Sequence, residues 1–257
     1  RTSQNTSNVG STPAEDVERG ILAGQVGVAL ELPGAVSDHL PIRKMFYETT
    51  TLSAFAVEAW VKAEGDGIIV SFDASEYWRF EIAAGNLRLV MFATGSVQDI
   101  DSGVFVSDGR WHHVAVTWRA SDGVRFFVDG DLVAGAFDTG GGNAGKGTTR
   151  FGFIGTGSEA NQFDGSTGPD NPFNGKLAEI RIWKEHFRFN VEIADNFNRP
   201  LNGDETGLAA YLPAGEGRGT IARDATGNGN DAEFRGNVNW TSARRVDSAD
   251  DVPMPDG

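Results

Sequence analysis

Short apolar segments at even intervals set the outer limits on this fold. SAFAVEAWVKA (53–63), GIIVSFD (67–73), EYWRFEIA (76–83), NLRLVMF (86–92), WHHVAVTW (111–118), VRFFVDG (124–130), DLVAGAF (131–137) and KLAEIRIW (176–183) are each rich in Val, Ile and aromatics. Turn residues separate them at intervals of about 8–12, the pattern of an all-β domain. The 34 glycines supply the positive-φ positions that tight hairpins demand. Asp129-Gly130, between two apolar runs, predicts a two-residue type I′ turn, and Gly85-Asn86 predicts another. Only FNVEIADNFN (189–198) has helical spacing, with Val191, Ile193, Ala194 and Phe197 on one side. The expected fold is an all-β, antiparallel two-sheet jelly-roll sandwich with one short helix near 190–197.

At 257 residues the chain has room for one large sandwich. It contains no cysteine, which excludes disulfides, thiolate metal sites and cysteine nucleophiles. A net charge of −14 repels phosphate backbones and anionic lipid, so nucleic acid is not an expected partner. No apolar run approaches the roughly 18 residues of a membrane span, so membrane insertion is not expected either. Residues 1–19 and 241–257 are polar, Pro-bearing and aperiodic, as linkers are. The expectation is a single domain over 20–240, carried between flanking modules of a longer chain.

Four stretches together resemble the laminin-G-like, concanavalin A-type jelly-roll family, whose architecture pentraxins share. They are LSAFAVEAWVKA (52–63), SDGRWHHVAVTW (107–118), GVRFFVDGDLVAG (123–135) and FNGKLAEIRIWKEHF (173–187). A fifth, TGLAAYLPAGEGRGTIARDATGNGNDAEFRGNVNW (206–240), is similar to a further signature of such domains; it is expected to close the sandwich by pairing with VGVALEL (26–32). The resemblance implies non-catalytic recognition, often of carbohydrate and often with calcium. A lectin-like module of an extracellular or cell-surface protein follows, such as a bacterial adhesin, with a glycan or polysaccharide as ligand. A protein-recognition or spacer module is the second reading, and a polysaccharide-cleaving enzyme the third. The family glucanase pattern E-x-D-x-x-E is absent, and Glu58, Glu81 and Glu179 each stand alone in an apolar run.

Calcium needs six to eight hard oxygen ligands. The segment GTGSEANQFDGSTGPDNPFNGK (155–176) offers Glu159, Asn161, Gln162, Asp164, Asp170 and Asn171. It is similar to the pentraxin loop of glycine, an acidic and amide cluster, and a return strand. The earlier hairpin FDASEYW (72–78) gives Asp73 and Glu76 where pentraxins carry an Asp-Asn pair, so one ion is expected rather than two. In DATGNGND (224–231), Asp224, Thr226 and Asn228 alternate around a tight turn, which suits either a structural ion or an Asx-turn. Arg235 at the twelfth position excludes an EF-hand.

A sugar face calls for an aromatic platform flanked by carboxylates and amides. Tyr77 and Trp78 are adjacent and, on a strand, point to opposite faces, so one of them is expected at an exposed edge beside Arg79. Gln98, Asp99 and Asp101, in QDID (98–101), are placed on a neighbouring rim, and Gln162 is added from the loop. Trp60, Trp118 and Trp183 read as core. GGGNAGKGT (140–148) lacks the Ser or Thr and the helix of a phosphate loop. His112 and His113 project to opposite sides of their strand and cannot share a metal. NTS (5–7) and NWT (239–241) match the glycosylation acceptor pattern.

Overall fold

The structure, a computed structural model, describes residues 27–48, 51–165, 168 and 170–243. The first expected linker and NTS (5–7) lie outside the described residues, as does most of the second linker. Sixteen strands are formed among the described residues. In chain order they are β1 (Val28–Pro33), β2 (Leu40–Tyr47), β3 (Ala54–Ala63), β4 (Gly67–Ser71), β5 (Trp78–Ala83), β6 (Asn86–Ala93), β7 (Ser96–Phe105) and β8 (Trp111–Arg119). They continue as β9 (Gly123–Val128), β10 (Asp131–Phe137), β11 (Arg150–Ile154), β12 (Asn174–Lys184), β13 (Leu208–Leu212), β14 (Ile221–Ala222), β15 (Ala232–Glu233) and β16 (Asn239–Ser242). Among the described residues one helix is formed, α1 (Asn190–Asn196), which follows β12.

Two antiparallel sheets result. The first runs β10-β9-β8-β3-β12-β1-β16, with β13 also against β12; the second runs β14-β15-β2-β11-β4-β5-β6-β7. β12 is long enough to serve two neighbours on one side: Asn174–Leu177 pairs with β1, and Ile180–Trp183 with β13. The segment after residue 206 closes the first sheet as expected, but through β16, where Val28 faces Ser242 and Leu30 faces Trp240. The fold thus continues to Ser242, just beyond the expected boundary at 240.

Alternation along each strand explains the layers. In β3, Phe55, Val57, Ala59 and Val61 join the inter-sheet core, whereas Ala56 and Trp60 pack on the opposite face beneath other elements. In β5, Trp78, Phe80 and Ile82 point inward and Arg79 and Glu81 outward. Trp78 lies at the centre, stacked on Phe55 at 4.9 Å and tilted against Phe72 at 4.9 Å.

Two local expectations shift. Asp129 (φ 54°) and Gly130 (φ 88°) form the two-residue turn between β9 and β10. The β5–β6 turn, however, is Ala84-Gly85, because Ala83 already pairs with Asn86. Ala84 takes φ 51°, an uncommon conformation for a residue with a Cβ. Its N–H and that of Gly85 both donate to the Asp66 carboxylate at 2.8 Å, which holds the turn. In α1 only Ile193 and Phe197, one turn apart, face the sheet. Val191 is 63% exposed and Ala194 is exposed, so the apolar side is narrower than its spacing suggested.

Candidate ligand site

The long segment after β11 is a closed excursion rather than an open connection. Gly157 donates its N–H to the Asp170 carbonyl at 3.1 Å, and the Thr156 hydroxyl donates to the same oxygen at 3.1 Å. The neck is therefore pinned where 156–157 meets 170. Farther out, Arg235 grips Asp164 at 2.7 Å through both carboxylate oxygens, and the Arg43 guanidinium lies over the Phe163 ring at 5.6 Å.

Facing this neck is the turn between β4 and β5. Asp73, at φ 61°, accepts from the Ser75 N–H at 2.9 Å and the Ser75 hydroxyl at 2.8 Å, while Arg150 Nε donates to its other oxygen at 2.6 Å. Between turn and neck lies a cleft of about 260 Å³. Asp73, Ser75, Ser158, Glu159 and Asp170 stand around it, Val90 and Val97 give it apolar surface, and Arg79 also reaches it. Arg79 bonds Asp170 at 3.1 Å and Glu81 at 3.0 Å. Glu159 is exposed and has no ion pair among the described residues.

From the cleft a ladder of charges crosses the outer face of the second sheet. Register places Arg79 beside Val90 and then Asp99, and Glu81 beside Arg88 and then Asp101. Arg88 binds both carboxylate oxygens of Asp99, and Asn86 reaches Asp101 at 3.3 Å. Burial pushes the Glu81 carboxyl above its ordinary pKa, with Arg79 and Arg88 opposing the rise.

The structure therefore gathers Asp73, Glu159, Asp170 and Arg79 at one cleft and lays Asp99 and Asp101 on the sheet face leading from it. Other expected positions lie elsewhere. Tyr77 and Trp78 are both fully buried, so neither forms an exposed platform. The reason is that Tyr77 belongs to the turn rather than to the strand: its N–H bonds the Asp73 carbonyl at 2.7 Å, and its ring folds back over Tyr47 at 4.8 Å. Gln98 alternates to the opposite side of β7 from Asp99 and bonds Ser96. Asn161, Gln162 and Asp164 sit on the far part of the loop, away from the cleft lining. The Asn171 carbonyl accepts from Ile68, anchoring the return strand. Glu76 faces Lys146 at 3.4 Å and Arg150 at 3.9 Å.

At the second expected cation position, the Asp224 carboxylate is filled by its own turn. It accepts from the N–H groups of Tyr211, Thr226 and Asn230 and from the Thr226 hydroxyl. The Asn228 amide is spent on the Ala209 carbonyl at 3.0 Å. This is an Asx-turn. Among the described residues no three acidic or histidine side chains converge as a metal site. At the cleft, the Asp73 and Asp170 carboxylates are engaged by Arg150 and Arg79. The described residues at the cleft therefore do not present the uncommitted carboxylates on which a calcium cage is built.

Arg150, Glu81 and Arg88 were missed at the sequence level. Arg150 is 77 residues from Asp73, and nothing local announces the pairing. Glu81 and Arg88 were legible in principle, since strand alternation puts them on the face of Arg79.

Glu58 and Glu179, each alone among the apolar residues of its own strand, come together across β3 and β12, on the other sheet. Both bind Arg181, at 3.3 and 2.8 Å, beneath α1 and the chain that follows it. The Tyr211 hydroxyl donates to Glu179 at 2.8 Å, and Trp183 Nε1 and Arg188 Nε donate to Glu58 at 3.0 and 3.1 Å. Glu58 is 0% and Glu179 4% exposed.

A two-sheet jelly roll with a loop-walled cleft at one end of a charged sheet face defines a lectin-type sandwich. The chain belongs to the concanavalin A-like lectin/glucanases superfamily, whose family model matches residues 35–188, more than half of its length. Its curated relatives include a sushi, von Willebrand factor type A, EGF and pentraxin domain-containing protein of Rattus norvegicus, 27% identical over 140 residues. That match covers 52% of this chain and 4% of the relative. Neuronal pentraxin-2 of Rattus norvegicus is 26% identical over 205 residues, covering 72% of this chain and 43% of the relative. The chain thus spans less than half the length of these curated relatives. Among solved structures, a candidate carbohydrate-binding protein of Bacteroides ovatus superposes with a TM-score of 0.61 at 18% identity, over 85% of this chain and 60% of that one. That likeness is one of fold.

Proposed function

We propose that this chain is a non-catalytic glycan-recognition module of an extracellular or cell-surface protein, built as a single domain. The observation that carries the reading is the cleft between the Asp73 turn and the loop neck. It combines a free carboxylate (Glu159), a half-exposed one (Asp170), a guanidinium (Arg79), two serine hydroxyls and apolar Val90 and Val97. Sugar hydroxyls take hydrogen bonds from such paired donors and acceptors, and the sugar's C–H face covers the apolar part. The carbohydrate-binding description of the Bacteroides ovatus protein with the same fold agrees with it. The sealing of Glu58 and Glu179 under α1 argues for recognition over glycoside cleavage, which needs two accessible carboxylates.

Recognition here does not depend on calcium, since Arg79 and Arg150 already neutralise Asp170 and Asp73. The absence of Tyr77 and Trp78 from the surface favours, as a second reading, recognition of a protein partner by the same charged face. A glycan array with the whole chain, repeated with Arg79→Ala and Glu159→Ala, separates the two. Selective glycan binding lost on either substitution is the expected result. Binding to no glycan, or binding of neutral glycans indifferent to both substitutions, overturns it in favour of a protein partner.

A further inference from the structure

A second cleft, of about 470 Å³, opens at the opposite edge of the second sheet, where the chain turns from β13 into β14. It is lined by Glu216, Arg218, Gly219, Thr220, Ile221 and Arg223. The loop that forms it is held in place. Trp240 Nε1 donates to the Gly219 carbonyl at 2.8 Å, the Phe234 N–H donates to the Thr220 carbonyl at 2.9 Å, and the Arg223 N–H donates to Glu216 Oε1 at 2.8 Å. Its shape thus exists before any ligand arrives, which lowers the entropy cost of binding.

The groups inside are unevenly satisfied. Glu216 anchors the Arg223 backbone through Oε1, and its Oε2 is buried, out of reach of a ligand. Arg218 is exposed and makes no ion pair among the described residues. The Arg223 guanidinium pairs with Asp231 at 3.5 Å and keeps 68% of its side chain exposed. Both guanidiniums are exposed, and that of Arg218 is without an ion pair among the described residues, in a chain of net charge −14. A guanidinium presents a planar fork that matches a carboxylate or sulfate.

We propose that this cleft is a second saccharide site, selective for a sugar bearing a carboxylate or sulfate. The anionic group sits at Arg218 and Arg223, and a ring hydroxyl meets the exposed Thr220 hydroxyl beside them. The site is independent of the Asp73 cleft, and its test is arranged so that either can fail alone.

The test is calorimetric titration of the whole chain with trigalacturonate, with a sulfated galactotriose and with neutral galactotriose. Acidic trisaccharides are expected to bind and the neutral one not. Arg218→Gln with Arg223→Gln is expected to cut affinity by at least about tenfold, while Arg79→Ala leaves it unchanged. The two acidic probes show whether carboxylate or sulfate is preferred. Both arginines are exposed, so the double variant keeps the parent melting temperature, which is checked alongside. Equal binding of the neutral trisaccharide, loss on Arg79→Ala, or no measurable binding of either acidic probe overturns the proposal.

Discussion

The Glu58 carboxylate stands 3.3 Å from the Arg181 guanidinium, with 0% and 1% of the two side chains exposed. Arg181 also donates to the Asn196 carbonyl at 3.0 Å, so one guanidinium ties β3 to the end of α1. Burial pushes the Glu58 carboxyl up, but the His113 ring 3.4 Å away and the charges of Arg181 and Arg188 outweigh it and hold its pKa near 2. Glu58→Gln leaves two arginines under-compensated in a dry site, and a loss of about 3–5 kcal/mol is expected. Urea denaturation measures that loss, and faster amide exchange over 190–201 would show that the latch has been released. Because the folded pKa is depressed, the contribution is present above 4.5, the ordinary value, and is lost as pH falls towards 2.

His112 and His113, neighbours on β8, shift in opposite directions. Burial disfavours charge on His112, yet contacts with Asp129 at 2.9 Å and Asp108 at 3.2 Å win, and its pKa is raised. Its stabilisation is fully present below 6.5 and disappears as pH rises through the folded value. Burial dominates at His113 and lowers its pKa, so that residue favours the fold above 6.5 and weakens it as pH falls. Melting curves between pH 5 and 8, taken with His112→Gln, should show the variant losing less stability than the parent as pH rises.

Gly157 sets the neck of the loop. A Cβ there would overlap the Asp170 carboxylate, which Arg79 holds. Gly157→Ala is expected to cost about 1–3 kcal/mol as that contact is displaced. Saccharide affinity at the first cleft should fall by about tenfold. Titration beside a thermal melt distinguishes a displaced carboxylate from general unfolding.

Calcium is tested by melting in EDTA and again in millimolar calcium. Arg150 and Arg79 already occupy Asp73 and Asp170, so an unchanged midpoint is expected. An ion bound only by the folded chain would instead add about 2.7 kcal/mol at a hundredfold excess over Kd.

Strands whose one face meets the core were legible, because alternation and β-branched residues report burial directly. β7 escaped notice because it is an edge strand whose Ser96, Asp99 and Asp101 face solvent. β2, with Arg43 and Lys44 exposed in mid-strand, was masked in the same way. At the site, the segments 72–78 and 155–176 were recognisable from their oxygen-bearing side chains. The guanidiniums that neutralise them were not, since Arg150 and Arg235 reach Asp73 and Asp164 across 77 and 71 residues. Tyr77 misled for a geometric reason: the opposite-faces rule holds only inside a strand, and Tyr77 lies one residue before β5.

The pairing of β1 with β16 brings the two ends of the described chain together, with the Ala243 N–H bonded to the Gly27 carbonyl at 2.7 Å. Tension applied through residues 27 and 243 would therefore load the ladder one hydrogen bond at a time, like a zip, rather than shear all its bonds at once. Strung in a longer polypeptide, the module hangs to one side of the line of force. It would yield first by peeling β1 and β16 apart, while the Asp73 cleft, on the other sheet, keeps its shape.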